Sequence, residues 1–201
     1  MRNALVTDPA SWWEKWRALL GNSVQNKMPY SVLGEMIIYK HLLKNGYAVK
    51  WAALQNATHD LEIDNECYEV KSTIKRYDSL ITVNSQYQMV GLEAGLYLCF
   101  CRFEESLLGI SIEDILNELV NLGDNYQILN SALEKMGFEK GSSARNKKFK
   151  LHEARKYEVN ERFPRITKES FATGKLPDGI VKIVYEVDLN GLDYTKLDIK
   201  D

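Results

Sequence analysis

The 201-residue chain has no run of 18 apolar residues, so no transmembrane helix is expected. Its opening, Met1-Arg2-Asn3-Ala4-Leu5-Val6-Thr7-Asp8, is too polar for a signal peptide. It has three cysteines. Cys99 and Cys101 lie two apart inside an apolar run, with no C-x-x-C spacing, and Cys67 stands by itself, so the pattern excludes a disulfide framework and implies reduced thiols in the cytoplasm. His59 and His152 have no companions at zinc-ligand spacing, and strand alternation points His59 away from its neighbour Asp60. There is no internal repeat and no low-complexity tract. A net charge of −2 shows no global basicity.

What charge there is lies unevenly. Residues 140–165 hold nine Lys or Arg against three acids, Glu153, Glu158 and Glu161. A basic segment on a mildly acidic protein implies local contact with a polyanion.

The hydrophobic fraction of 45% and charged fraction of 27% are ordinary for a globular domain, and the length suits one medium α/β domain or a core with an added lobe. Asp8-Pro9 starts a helix that Gly21 stops, with Trp12, Trp13 and Trp16 on its apolar flank. A second helix runs from Pro29 to Asn45, and a strand spans 47–53. Further strands are expected over 80–85 and 95–103, the latter apolar enough to be central and doubly covered. Ser85 to Met89 forms a short helix. Ser111-Ile112-Glu113-Asp114 caps a helix to Asn121, and another spans 126–136. Residues 141–146 read as a mobile loop. Strand-like pieces follow at 149–159, 162–166 and 180–189. This ordering divides the chain into an N-terminal helix docking on the core (1–28), a core (29–138), and a basic loop with C-terminal strands completing the same domain (139–201).

The most informative stretch is 57–73. It reads as two strands joined at Asp64-Asn65, a pair that tolerates positive φ in a two-residue turn. A turn centred there sets Asp60 opposite Glu69. Alternation then gives one face to Asp60, Glu62, Cys67, Glu69 and Lys71, and the other to Leu61, Ile63, Tyr68 and Val70. Two carboxylates beside an ammonium can hold a hard divalent cation and prepare a water for attack on phosphorus. The Gly34-Glu35 pair suits a helix approaching the sheet closely enough to aim a third carboxylate at the same place.

Asp60, Glu69-Val70-Lys71 and the helical Glu35 resemble the PD-(D/E)XK, or restriction-endonuclease-like, nuclease superfamily, although His59 stands where the motif has proline. The chain is most similar to an uncharacterised prokaryotic family of that superfamily, often found near restriction-modification genes. The resemblance rests on the order of Trp12-Trp13-Glu14-Lys15-Trp16, Leu33-Gly34-Glu35-Met36, Glu69-Val70-Lys71-Ser72-Thr73, Ser85-Gln86-Tyr87-Gln88-Met89, Phe163-Pro164-Arg165-Ile166 and Leu176-Pro177-Asp178-Gly179-Ile180. Members usually extend further at the N-terminus, which implies an upstream region.

The resemblance implies an α/β restriction-endonuclease-like core, a central mixed β-sheet flanked by helices, here with a β-rich C-terminal extension. It implies a Mg²⁺-dependent endonuclease acting on double-stranded DNA, the cleavage component of a restriction or defence system, working as a homodimer or with a partner subunit. Asp60, Glu69 and Lys71 are then catalytic. Asp60, Glu69, the Val70 carbonyl and Glu35 hold the metal, with Gln88 and Glu62 as auxiliary groups. Ser72, Lys75, Lys147, Lys148, Lys150 and Arg155 are the candidate DNA contacts. A catalytically silent DNA-binding or assembly module, and a structure-specific repair nuclease, are the competing readings.

Overall fold

The computed structural model describes residues 27–54, 59–64, 66–90 and 95–199. The helix expected over 8–21 and its tryptophans lie outside them. Helix α1 (Pro29–Lys44) begins with Pro at its first position, where no amide hydrogen is needed. It buries residues on every side, including Val32, Leu33, Met36, Ile37 and Ile38, as an internal helix must. β1 (Val49–Trp51) leads into β2 (Leu61–Ile63) and β3 (Glu66–Thr73). β4 (Leu80–Val83) and a 3₁₀ turn at Gln86–Met89 precede the long β5 (Leu96–Ile110).

Two helices follow. α2 (Ile112–Asn121) opens on a reciprocal cap: the Ser111 hydroxyl accepts from the Asp114 amide at 3.1 Å, and Asp114 Oδ2 accepts from the Ser111 amide at 2.9 Å. α3 (Tyr126–Lys135) starts from Asn125, whose Oδ1 accepts from the Ile128 amide at 3.2 Å. The stretch expected to be a mobile loop is instead a short helix, α4 (Ser143–Asn146). Arg145 fixes it: its fully buried guanidinium pairs with Glu113 at 2.5 Å and donates to Asn130 Oδ1 at 2.7 Å. The chain ends in β6 (Phe149–Glu158), β7 (Tyr185–Asp188) and β8 (Thr195–Lys196). The strand expected over 162–166 does not form. Phe163 turns inward there as a core anchor, and Pro164 has no amide hydrogen to give a ladder.

Among the described residues the main sheet has six strands in the order β1-β2-β3-β5-β6-β8. β3 and β5 run parallel and the other neighbours antiparallel, so this is a mixed sheet flanked by helices, an α/β architecture. β5 is central, as its apolar run predicts. The expected fourth strand, β4, leaves this sheet and pairs with β7 in a two-stranded sheet of its own. Helices α1–α3 cover one face of the main sheet through a core that includes Val70, Cys99, Cys101 and Phe103. The opposite face is covered by Ile81, Val83, Met89, Phe163 and Val187, packed on Cys67, Leu98, Phe100 and Tyr157.

Gly34 controls how near α1 comes to β3. A Cβ built on it would overlap the Ser72 hydroxyl. Glycine costs roughly 1 kcal/mol against alanine inside a helix. Its absent side chain allows the close approach that carries the next residue, Glu35, to the edge of the sheet.

Candidate active site

The hairpin holds the expected register. Asp64 adopts φ 48°, and Leu61 pairs with Tyr68, Glu62 with Cys67 and Ile63 with Glu66. The same register places Asp60 opposite Glu69, one step beyond the last paired rung. There the Val70 amide donates to Asp60 Oδ2 at 2.8 Å, which anchors the carboxylate at the mouth of the hairpin. The Val70 carbonyl, expected as a ligand, stands in the chain between the Glu69 and Lys71 side chains.

Glu69, Lys71 and Gln88 form a closed polar triangle. Lys71 Nζ lies 2.9 Å from Glu69 Oε1, and Gln88 Nε2 donates to the same oxygen at 2.7 Å. Gln88 Oε1 accepts from Lys71 Nζ at 3.4 Å and from the Asn84 amide at 2.7 Å. The Asn84 contact fixes which way the amide faces, because only an oxygen can accept that hydrogen. Gln88 arrives from the 3₁₀ turn, where the Ser85 hydroxyl accepts from the Tyr87 amide.

Glu35 reaches the acids from the helical side. Trp51 Nε1 donates to its Oε2 at 3.1 Å, and Lys27 Nζ contacts its Oε1 at 2.6 Å and Asp60 Oδ1 at 4.0 Å. The sequence reading missed both Lys27 and Trp51. Nothing in the local pattern marks Lys27. Trp51 ends a strand, and its indole is read as core until the helix is packed against it.

The electrostatics follow from burial. Glu35 and Glu69 are each 4% exposed. Burial, then the charge of Asp60, raises Glu69 to about 7 against the pull of Lys71. Burial and Asp60 likewise raise Glu35 to about 6 against Lys27 and Trp51. Burial pulls Lys27 down, but Glu35, Asp60 and Glu69 together outweigh it and leave it raised. Two buried carboxylates, Glu35 and Glu69, that hold protons above the ordinary carboxylate range beside the charge of Asp60 have an unmet demand for positive charge. Lys27 supplies some of it, resting between Glu35 and Asp60 as a cation would. Three carboxylate donors suit a small hard ion such as Mg²⁺ or Mn²⁺. The residues present therefore fit a divalent metal.

Other sequence candidates fall elsewhere. The Ser72 hydroxyl is buried against Gly34 on the helical side of β3, without a hydrogen-bond partner among the described residues, and so cannot face a ligand on the site side. Alternation decides this, since Ser72 follows Lys71. Lys75 is exposed and paired with Asp78 at 2.9 Å. Its loop is pinned by Arg102, which donates to the carbonyls of Lys75 and Asp78 and to Ser79 Oγ.

About half of the basic excess of 140–165 is offset in three dimensions by acids from β5 and α2. Lys147 pairs with Glu105, Lys148 with Asp114, Arg145 with Glu113 and His152 with Glu104. Arg155 shares the site face, its rung running through Phe100 to Lys71. Its guanidinium is committed to Glu153 at 2.7 Å and lies over Tyr194. Lys150 is exposed and has no ion pair among the described residues.

His59 corrects a further expectation. β2 begins only at Leu61, so His59 precedes the alternation used to place it. The structure brings its ring beside Glu62 and Cys67, with one ligand atom from each within 4.8 Å of the others. Burial lowers the imidazole's proton affinity.

A family model described as "Putative PD-(D/E)XK family member" matches residues 3–190. No curated protein and no solved structure matches the chain.

Proposed function

The chain belongs to this PD-(D/E)XK family, and on that premise we propose that it is a Mg²⁺-dependent endonuclease that hydrolyses DNA phosphodiester bonds. One observation carries the reading. Asp60 and Glu69 meet across a hairpin with Glu35 delivered from a helix, and Lys71 stands 2.9 Å from Glu69. The acids would hold the ion, joined by the Val70 carbonyl. When bound, the ion supplies a Lewis acid that stabilises charge on the phosphorus oxygens and lowers the pKa of a water.

The remaining steps belong to the protein. Lys71 sits at the rim of the acid cluster with its side chain 16% exposed. It orients the attacking water and offers a hydrogen to the oxygen that gains charge in the transition state. Gln88 holds both Lys71 and Glu69 through one amide whose orientation Asn84 fixes, so the ammonium does not wander. Trp51 locks Glu35 from the opposite side. Both supports reduce the motion needed to reach a reactive geometry.

DNA is proposed as the substrate on the strength of phosphodiester chemistry and of the exposed Lys150, which has no ion pair among the described residues. A double-strand cut needs two active sites, which suits a homodimer or a partner subunit. A role in restriction or defence is the biological setting proposed for this activity.

The test is plasmid cleavage with Mg²⁺ and with EDTA, comparing the parent with Asp60→Ala and Lys71→Ala. Both substitutions should abolish cutting while circular dichroism stays unchanged. A Lys71→Ala protein that cuts as fast as the parent refutes the role given to the lysine. Retarded DNA migration without cutting by the parent favours the silent binding module.

A further inference from the structure

One step along the hairpin from the Asp60–Glu69 rung, on the same sheet face, stands a second chemical group. Glu62 and Cys67 are direct partners in the β2–β3 register. His59 lies against them, so that an imidazole nitrogen, a carboxylate oxygen and Sγ are all within 4.8 Å of one another. Cys67 is fully buried and His59 is 3% exposed. Among the described residues neither ring nitrogen of His59 makes a well-formed hydrogen bond, and the Val90 carbonyl is at most a weak backbone partner for one of them. A buried imidazole carries one donor and one acceptor when neutral. A ring nitrogen left without a good partner costs free energy that a ligand there would recover.

We infer that His59, Glu62 and Cys67 form a second metal site, one that takes Zn²⁺ and clamps the hairpin. The donor set carries the choice of metal. One nitrogen, one sulfur and one oxygen match borderline-soft zinc and mismatch Mg²⁺, which asks for oxygen alone. The two neighbouring rungs therefore sort metals, the three carboxylates taking the hard ion and the mixed rung the softer one. Tetrahedral zinc, with bonds of about 2.0–2.3 Å, holds its ligand atoms roughly 3.5 Å apart, so side-chain motions of about an ångström close the site. Binding releases the Cys67 thiol proton to solvent and leaves the fourth position for a water.

The purpose of the clamp follows from register. A slip of one residue between β2 and β3 would send Asp60 and Glu69 to opposite sides of the sheet. A metal bridging His59 and Glu62 to Cys67 spans both strands and prevents that slip. The inference does not rest on the nuclease reading, and a structural zinc would stand even if the carboxylate cluster proved catalytically silent.

The experiment is a Co²⁺ titration of the full chain, stripped with EDTA and desalted into buffer containing Mg²⁺. Cobalt bound to a thiolate gives an intense near-ultraviolet charge-transfer band, and Cys99 and Cys101 lie in the core on the far face of the sheet. The band should saturate at about one equivalent and be bleached by Zn²⁺. Cys67→Ser should abolish it, Glu62→Gln should weaken Co²⁺ binding by about tenfold or more, and Glu69→Gln should leave it intact. A parent protein without the band, a band that survives Cys67→Ser, or one lost in Glu69→Gln overturns the inference. Should Cys67→Ser fail to fold, Glu62→Gln decides, since an unchanged Co²⁺ affinity there also overturns it.

Discussion

Glu69→Gln should make the metal-free protein more stable at pH 8 while removing its activity. Glu69 is buried among two other acids and holds its proton up to about 7, against about 4.5 for an ordinary glutamate. At about 1.4 kcal/mol per tenfold change in proton affinity, ionising it in the folded state costs about 3 kcal/mol. The sign runs as follows. Below about pH 4.5 the carboxyl is protonated folded and unfolded, and the penalty is absent. Between there and about 7 the folded state keeps a proton that the unfolded state has released, so stability falls as pH rises. Above about 7 the whole penalty stands.

Glutamine escapes that penalty, in which the favourable pull of Lys71 on the carboxylate is already included. The expected net gain is about 3 kcal/mol at pH 8, shrinking below about 1 kcal/mol at pH 5. Urea unfolding in EDTA reads this directly, as a midpoint higher by about 1.5 M at pH 8 for a slope of about 2 kcal/mol/M. A midpoint that falls at pH 8, or a gain equal at both pH values, refutes the claim that the acids are held together at an electrostatic cost. Such a cost is expected where a site is shaped for a cation rather than for its own stability.

Two further predictions follow from packing and charge. Gly34→Ala should destabilise the protein by about 1–2 kcal/mol, because overpacking against Ser72 outweighs the helical preference for alanine. Ser72→Ala introduced with it should restore at least half of that stability, and thermal melts of the single and double variants measure the difference. Lys150→Ala should lower the slope of log DNA affinity against log salt by about 1, with smaller changes for Lys147→Ala and Lys148→Ala, whose ammonium groups already face Glu105 and Asp114. Fluorescence anisotropy across a salt series checks this, and an unchanged slope for all three removes the segment from the DNA interface.

The acid pair was legible because a hairpin is a local object. Asp64 can take positive φ, the turn centre fixes the sum of paired residue numbers, and period-two alternation fixes the faces, so Asp60 and Glu69 could be set opposite each other from the chain alone. The capping of α2 and the central place of β5 were readable for the same reason, since one depends on four consecutive residues and the other on an unbroken apolar run. Some readings that needed to know what lay across space were incomplete. The basic excess of 140–165 was counted along the chain, while its neutralising acids come from β5 and α2. The loop over 141–146 became a helix because Arg145 found Glu113.

The linear order of residues determined the hairpin, its register and the face on which its acids stand, because those depend on backbone sterics over a dozen residues. Tertiary packing alone decided that Lys27 and Trp51 flank Glu35, that Gln88 ties Lys71 to Glu69, and that His59 joins Glu62 and Cys67. Those contacts join elements distant in sequence or side chains outside the strand alternation. Their energies depend on burial and dielectric, which exist only after the sheet and helix have closed on each other.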